Sequence, residues 1–191
     1  SEGSVSNAVL VCSAVSGSLE ITPIPELPAW EASAGPIAVA DIDGDGALEL
    51  FVGGRVVRGQ YPRATSSKLY RQRGGRMVPD LDNSKALENI GLVSGAVWSD
   101  LDGDGFPELL LACEWGFIRV FHNDHGHLVP AILPLSNPVG STLTDLTGWW
   151  SGIATGDFDG DGRQDIVASN WGLNDAYHAS PEHPLRLYFG E

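Results

Sequence analysis

The 191 residues are enough for one large domain or two small ones, and at 42% hydrophobic they can bury a core. A formal net charge of −14 argues against nucleic acid or an anionic membrane surface as a partner. No run of about 18 apolar residues is present to span a membrane, and the opening SEGSVSNAVL lacks the basic start and apolar stretch of a signal peptide. The chain does not begin with methionine, so it reads as a segment whose targeting information lies elsewhere.

Taken in order, the chain alternates short runs of Val, Ile, Leu, Phe and Trp with clusters of Gly, Pro, Asn and Asp, a strand-and-turn signature. NAVLVCSAVSGSLEITPI reads as the last two strands of a preceding unit. PIAVA is then a strand, DIDGDG a loop from Asp41, and LELFVGG a buried strand. An insertion at 55–67 precedes KLYRQR, the third strand. The pattern restarts with GAVWS, the loop DLDGDG from Asp100, and ELLLACEW. FIRVFHND and HLVPAIL follow as third and fourth strands around a turn at His125–Gly126. A last copy runs GIATG, DFDGDG from Asp157, and DIVASNW, with LRLYFGE standing where a third strand belongs. The loops start 59 and 57 residues apart.

A period of this size marks a repeat architecture. Four antiparallel strands make a sheet whose edges need cover, and packing such sheets radially gives a β-propeller of typically 4–8 blades. The expected fold is therefore all-β, a partial propeller of about three blades. The units run 1–33 (end of a preceding blade), 34–92, 93–149 and 150–191 (incomplete). An open arc of that kind exposes an apolar face at each end, near NAVLVCSA and near LRLYFGE, and favours association.

Each loop carries carboxylates at positions 1, 3, 5 and 9: Asp41, Asp43, Asp45 and Glu49; Asp100, Asp102, Asp104 and Glu108; Asp157, Asp159, Asp161 and Asp165. The three loops hold 12 of the 25 acidic residues, a repulsion that a cation would offset. Calcium takes six to eight hard oxygens, and alternate residues of a tight loop can turn onto one centre. Gly46, Gly105 and Gly162 at position 6 permit the turn. Ala47, Phe106 and Arg163 at position 7 would then supply only a backbone carbonyl, which leaves their side chains free to vary. The pattern is no EF-hand, because position 12 is Val52, Leu111 or Ala168 and the flanks are strands. Magnesium demands a stricter octahedron, and the loops lack zinc's nitrogen and sulfur ligands. Three structural calcium sites are expected.

These loops between strands resemble FG-GAP/VCBS repeats, the blade units of calcium-binding propellers. GGRVVRGQYP, GLVSGAVWSDLDGDGFPELLLACEWGFIRVFHN, GWWSGI and SNWGLN resemble VCBS-repeat proteins that often carry an ASPIC/UnbV domain, a family of cartilage acidic protein-like proteins. The resemblance implies a secreted protein, at the cell surface or in the periplasm, with seven blades in all. The rest of the propeller would lie in the same full-length chain. Arg58 departs from the family, which more often has proline there, and another acidic loop is expected after Glu191.

Outside the loops, Trp98, Trp115, Trp149, Trp150 and Trp171 cluster around the repeats and read first as filling between blades. Glu114, Trp115, Asn170 and Trp171, at the far ends of two second strands, are the candidate ligand residues. HNDHGH (122–127) reads as strand–turn–strand rather than a metal site. His178 and His183 read as solvated, and Cys113 as a small buried residue. The spacing of Cys12 and Cys113 gives no support to a disulfide. There is no Ser/His/Asp spacing, GxSxG elbow or phosphate loop. The leading expectation is a non-enzymatic, calcium-stabilised scaffold for interaction or adhesion with a protein or glycan partner. A carbohydrate-binding propeller, or the propeller of a polysaccharide-processing enzyme, are the alternatives.

Overall fold

The computed structural model describes residues 10–15, 18–23, 30–172, 176–180 and 182–190. Residues 1–9 and 24–29 of the expected preceding blade, and Glu191, lie outside the described residues. Strands β1 (Leu10–Val15) and β2 (Ser18–Pro23) form an antiparallel hairpin, as expected for that region. Next comes a four-stranded antiparallel sheet of β3 (Ala32–Ala40), β4 (Glu49–Val57), β5 (Lys68–Arg73) and β6 (Arg76–Pro79). The second such sheet holds β7 (Leu92–Ser99), β8 (Glu108–Glu114), β9 (Arg119–Asp124) and β10 (His127–Ala131). β11 (Trp150–Gly156) and β12 (Asp165–Asn170) pair as a further hairpin. The fold is all-β, with the strands of each sheet in chain order. Among the described residues no ladder links one sheet to the next or closes a ring.

Three elements differ from the expectation. A short helix α1 (Leu81–Ala86) joins the two four-stranded sheets; the Asp80 side chain caps it by accepting the Asn83 N–H at 3.1 Å. β4 continues to Val57, into the expected insertion, because Val56 and Val57 pair with Ser33 and Ala32. Residues 184–190 form no strand, although LRLYFG alternates like one. Leu185, Leu187, Tyr188 and Phe189 are each at least 43% exposed there. A strand propensity is realised by packing on a neighbouring face, and these side chains have none.

Sheet-on-sheet packing supplies the core. Phe51 and Leu69 of the first sheet meet Val93, Leu109, Leu111 and Phe121 of the second in one buried cluster, sealed by Leu87 after α1. β8 is buried on both faces along its whole length. On its other face the first sheet buries Leu50, Val52 and Tyr70 against Trp30 and Met77. The first strands of successive units lie side by side, β7 against β3 and β11 against β7. Glycine makes that approach possible: a Cβ at Gly35 would stand 2.9 Å from the Val93 carbonyl oxygen, and one at Gly95 would stand 3.0 Å from the Ile153 nitrogen.

Gly54 is the tightest of these positions within a sheet. Its N–H donates to Ser67 Oγ at 3.0 Å, and an added Cβ would land on the Ser66 carbonyl oxygen and the Thr65 hydroxyl. Gly54→Ala is expected to destabilise the protein by about 3 kcal/mol, read as a fall in melting temperature of about 5–10 °C. A melting point within about 1 °C of wild type would show that this joint has slack.

Candidate metal centre

Each acidic loop connects the first and second strands of its unit: 41–48 between β3 and β4, 100–107 between β7 and β8, 157–164 between β11 and β12. Position 1 accepts a backbone hydrogen bond on each oxygen, and in the third loop Asp157 Oδ1 also takes the Asp161 N–H at 3.0 Å. Asp41 takes the N–H of Gly44 at 2.8 Å and of Gly46 at 2.9 Å. Asp100 takes those of Gly103 and Gly105 at 2.8 and 3.0 Å, and Asp157 those of Gly160 and Gly162 at 2.7 and 2.9 Å. Position 3 accepts from the N–H of position 5, at 3.3 Å in the first loop, 3.2 Å in the second and 3.1 Å in the third. Position 5 accepts from the N–H of position 7 at 2.8, 2.8 and 2.9 Å.

Both glycines of each loop are needed for this wrap. Gly44 and Gly46 have φ of +75° and +85°, and the other two loops repeat those values within a few degrees. The left-handed region disfavours a side chain. The position-6 glycine follows from the sequence argument; the equal demand at position 4 becomes visible in the backbone.

The position-9 acids have a task the spacing did not show. Glu49 Oε2 accepts the Ile42 N–H at 3.0 Å, Glu108 Oε2 that of Leu101 at 2.9 Å, and Asp165 Oδ2 that of Phe158 at 2.9 Å. Each thereby fastens the second strand to the start of its own loop. Glu49 and Glu108 are buried. Burial raises the pKa of Glu49 above the ordinary range, the Ile42 N–H works against that, and the Asp43 charge adds to it.

Carboxylate oxygens of Asp41, Asp43 and Asp45 lie within 4.8 Å of one another, and so do those of Asp100, Asp102 and Asp104. The third loop groups Asp157, Asp159 and Asp165 instead. Its Asp161 is held by the Arg163 side chain, whose Nε donates to Oδ2 at 2.9 Å, and that hydrogen bond keeps the Asp161 carboxyl below its usual pKa. A cation with metal–oxygen bonds of about 2.4 Å can bridge oxygens up to about 4.8 Å apart, so an all-carboxylate set of this size fits calcium. At position 7, Ala47 is half-buried, the Phe106 ring stacks 4.2 Å from His125, and Arg163 is exposed and ion-paired.

Two knots, one buried and one half-buried, tie the first loop to the second sheet. Asn123 is fully buried; its Nδ2 donates to the carbonyls of Ile42 at 2.8 Å and Pro107 at 3.1 Å, and its N–H to Glu108 Oε1 at 3.4 Å. One side chain so joins both acidic loops. Arg71 donates to Asp80 Oδ2 at 2.6 Å and to the Gly126 carbonyl at 2.7 Å, and it pairs with Asp43. Burial alone would lower the Arg71 pKa, but the hydrogen bond and charge of Asp80, with Asp43 and Glu49, raise it.

The second candidate set gathers at the opposite strand ends. Trp115 sits at φ +52°, a rare backbone for a bulky residue, and its Nε1 donates to Tyr61 Oη at 2.6 Å. Buried Glu114 beside it pairs with Arg55. Trp115, Trp149 and Trp171 form a row with ring centres 5.3 and 5.2 Å apart. Asn170 Oδ1 accepts the Gly172 N–H at 2.7 Å. Trp98 and Trp150 stand apart from the row: Trp98 packs on the core, and Trp150 Nε1 donates to the Leu146 carbonyl at 3.0 Å. Cys113 is buried with a free thiol, whose pKa burial pushes up to about 11. His178 and His183 are exposed, as expected.

Three strand-flanked acidic turns recur among the described residues, two of them within antiparallel four-stranded sheets, an arrangement of the propeller-blade kind. Residues 100–168 match the family of FG-GAP-like repeats. A stretch of 76 residues is 32% identical to cartilage acidic protein 1 of Homo sapiens and, equally, to that of Mus musculus. It covers 40% of this chain and 12% of each relative, so the match spans about an eighth of the length of those proteins.

Asn123→Ala removes the donor to two carbonyls and leaves them buried without a partner. A loss of about 3 kcal/mol is expected, measured by denaturant unfolding. A loss below about 0.5 kcal/mol would show that water replaces the side chain.

Proposed function

We propose that the three loops bind calcium, and that the metal is structural in an extracellular propeller that serves as an interaction or adhesion scaffold. The observation that supports this reading is the threefold recurrence of one acidic turn with one hydrogen-bond scheme. Asp41, Asp43, Asp45 and Glu49 would serve the first ion, Asp100, Asp102, Asp104 and Glu108 the second, and Asp157, Asp159, Asp161 and Asp165 the third. The carbonyls of Ala47, Phe106 and Arg163 would complete the shells.

The chemistry suits a stabilising role. Every loop carboxylate already turns toward backbone N–H groups, which fixes its direction and leaves lone pairs free. A bound divalent ion would offset both the mutual repulsion of the aspartates and the burial of the position-9 acids, so its binding energy would become folding energy. Exposed loops of this kind suit the millimolar calcium found outside cells. Among the described residues no helix is long and apolar enough to cross a membrane. The full-length protein's partner, blade number and location belong to this proposal, and so does the absence of an enzymatic role.

A second reading, a glycan site, draws on the Trp115–Trp149–Trp171 row, where Trp171 is 50% exposed and follows Asn170 in the chain. Flat aromatic faces stack on sugar rings, and an amide can donate to and accept from hydroxyls. An acidic or neutral oligosaccharide should then quench tryptophan fluorescence saturably, and Trp171→Ala should abolish the change. Fluorescence unmoved across a glycan panel would leave the row as inter-blade filling.

Calcium should raise the melting temperature by several degrees and excess chelator should reverse it, because a ligand of the folded state alone stabilises that state. Magnesium at the same concentration should do far less. Asp104→Asn keeps the hydrogen bond from Phe106 and removes one charge, so calcium affinity at that loop should fall about tenfold, or ~1.4 kcal/mol. Phe106→Ala should leave affinity within about twofold, since its proposed ligand is a carbonyl. Equal titrations for the two variants would refute the ligand assignment.

A further inference from the structure

The second loop differs from the first in the side chain laid on its position-3 carboxylate. Leu50 pairs with Tyr70 and Leu109 with Phe121, so the residues that follow, Arg71 and His122, occupy equivalent positions on β5 and β9. Arg71 lays a guanidinium on Asp43, and His122 lays an imidazole on Asp102 and Glu108. Arginine has donors only and cannot ligate a metal, whereas neutral imidazole is a common ligand.

The distances suit a small cation. His122 Nδ1 is 3.1 Å from Glu108 Oε1 and 3.6 Å from Asp102 Oδ2, and the three atoms lie within 4.8 Å of one another. A tetrahedral ion with arms of about 2.1 Å has ligand–ligand edges of about 3.4 Å, between those two values. Glu108 is 4% exposed and anchored by its other oxygen to the Leu101 N–H, while His122 and Asp102 are 44% and 50% exposed. One wall of the cluster is therefore rigid and the other open to an entering ion and a water.

We propose that Asp102, Glu108 and His122 form a site for a nitrogen-preferring divalent cation, zinc first among them, at the lip of the second loop only. Two carboxylates and a neutral imidazole balance a 2+ charge, with Nδ1 as the ligand and the ring proton on Nε2. The open fourth position takes water. Asp102 and Glu108 are shared with the ligand set proposed for calcium in that loop, so zinc here and calcium there exclude one another. The zinc site does not depend on calcium being a ligand of the loops, and it is tested with calcium absent.

Zinc is titrated by calorimetry into the full-length protein stripped of metal, in wild type, His122→Gln and Asp102→Asn, with cobalt(II) absorption as a second readout. Wild type should take up one zinc equivalent that each variant binds at least ~10-fold more weakly, and the cobalt d–d bands should vanish with His122. His122→Gln retains a side-chain donor for Glu108, so its calcium titration should stay within about twofold of wild type. Zinc binding unchanged within about twofold in His122→Gln would overturn the proposal. A parallel loss of calcium and zinc would overturn it too, since His122 would then only position Glu108. Metal-free melting curves identify any variant that fails to fold, and exposed Asp102→Asn then carries the test.

Discussion

A four-stranded sheet has two faces, and in the two four-stranded sheets of this chain both are apolar where the second strand passes. Leu50 and Phe51, adjacent on β4, point to opposite sides and are both buried. No sheet of this kind is stable alone in water, because one face would stay exposed. The two four-stranded sheets therefore stack, and everything else in the described chain follows from that stacking. It sets the glycines at Gly35 and Gly95, where neighbouring first strands approach to backbone distance. It also buries α1's end at Leu87 between the sheets.

The acidic loops sit at the ends of the stacked strands. Their shape is local: position 1 collects the N–H groups of two left-handed glycines, and positions 3 and 5 each take the N–H two residues on. Their anchorage is not local. In the first two units the position-9 acid stands on the buried second strand, so the loop is fastened to the packed part of the sheet. Asn123 and Arg71 then tie the first loop to the neighbouring sheet, so an ion in that loop would be held by two sheets at once. A cation in such a loop would act on the joint between sheets as well as on its own hairpin.

The repeat, the all-β class and the acidic pattern were legible because they depend on short sequence separations. Alternating carboxylates and a position-6 glycine state a turn outright, and the flanking apolar runs state the strands. Helix α1 was missed although Asp80 caps it, since six residues carry too little periodicity to stand out from a loop. LRLYFG carried a strand pattern that the described chain does not use, because pattern alone does not supply the face a strand packs on. HNDHGH was legible as strand–turn–strand, and β9 and β10 bear that out. The bonds of His122 and Asn123 were not legible: both reach across the sheet, and Asn123 reaches Ile42, 81 residues away.

By itself the sequence determined what repeats: three turns of Asp and Gly, their flanking strands, and a donor set of hard oxygens suited to calcium. Such features rest on contacts a few residues apart, which a reader can count. Only the tertiary structure decided what stands at the lip of each turn, an arginine on the first and a histidine on the second, because strand register across the sheet places those residues. Only it showed the position-9 acids fastening their loops and the tryptophans falling into a row. Those placements depend on which faces of distant strands bury one another, and no local spacing encodes that.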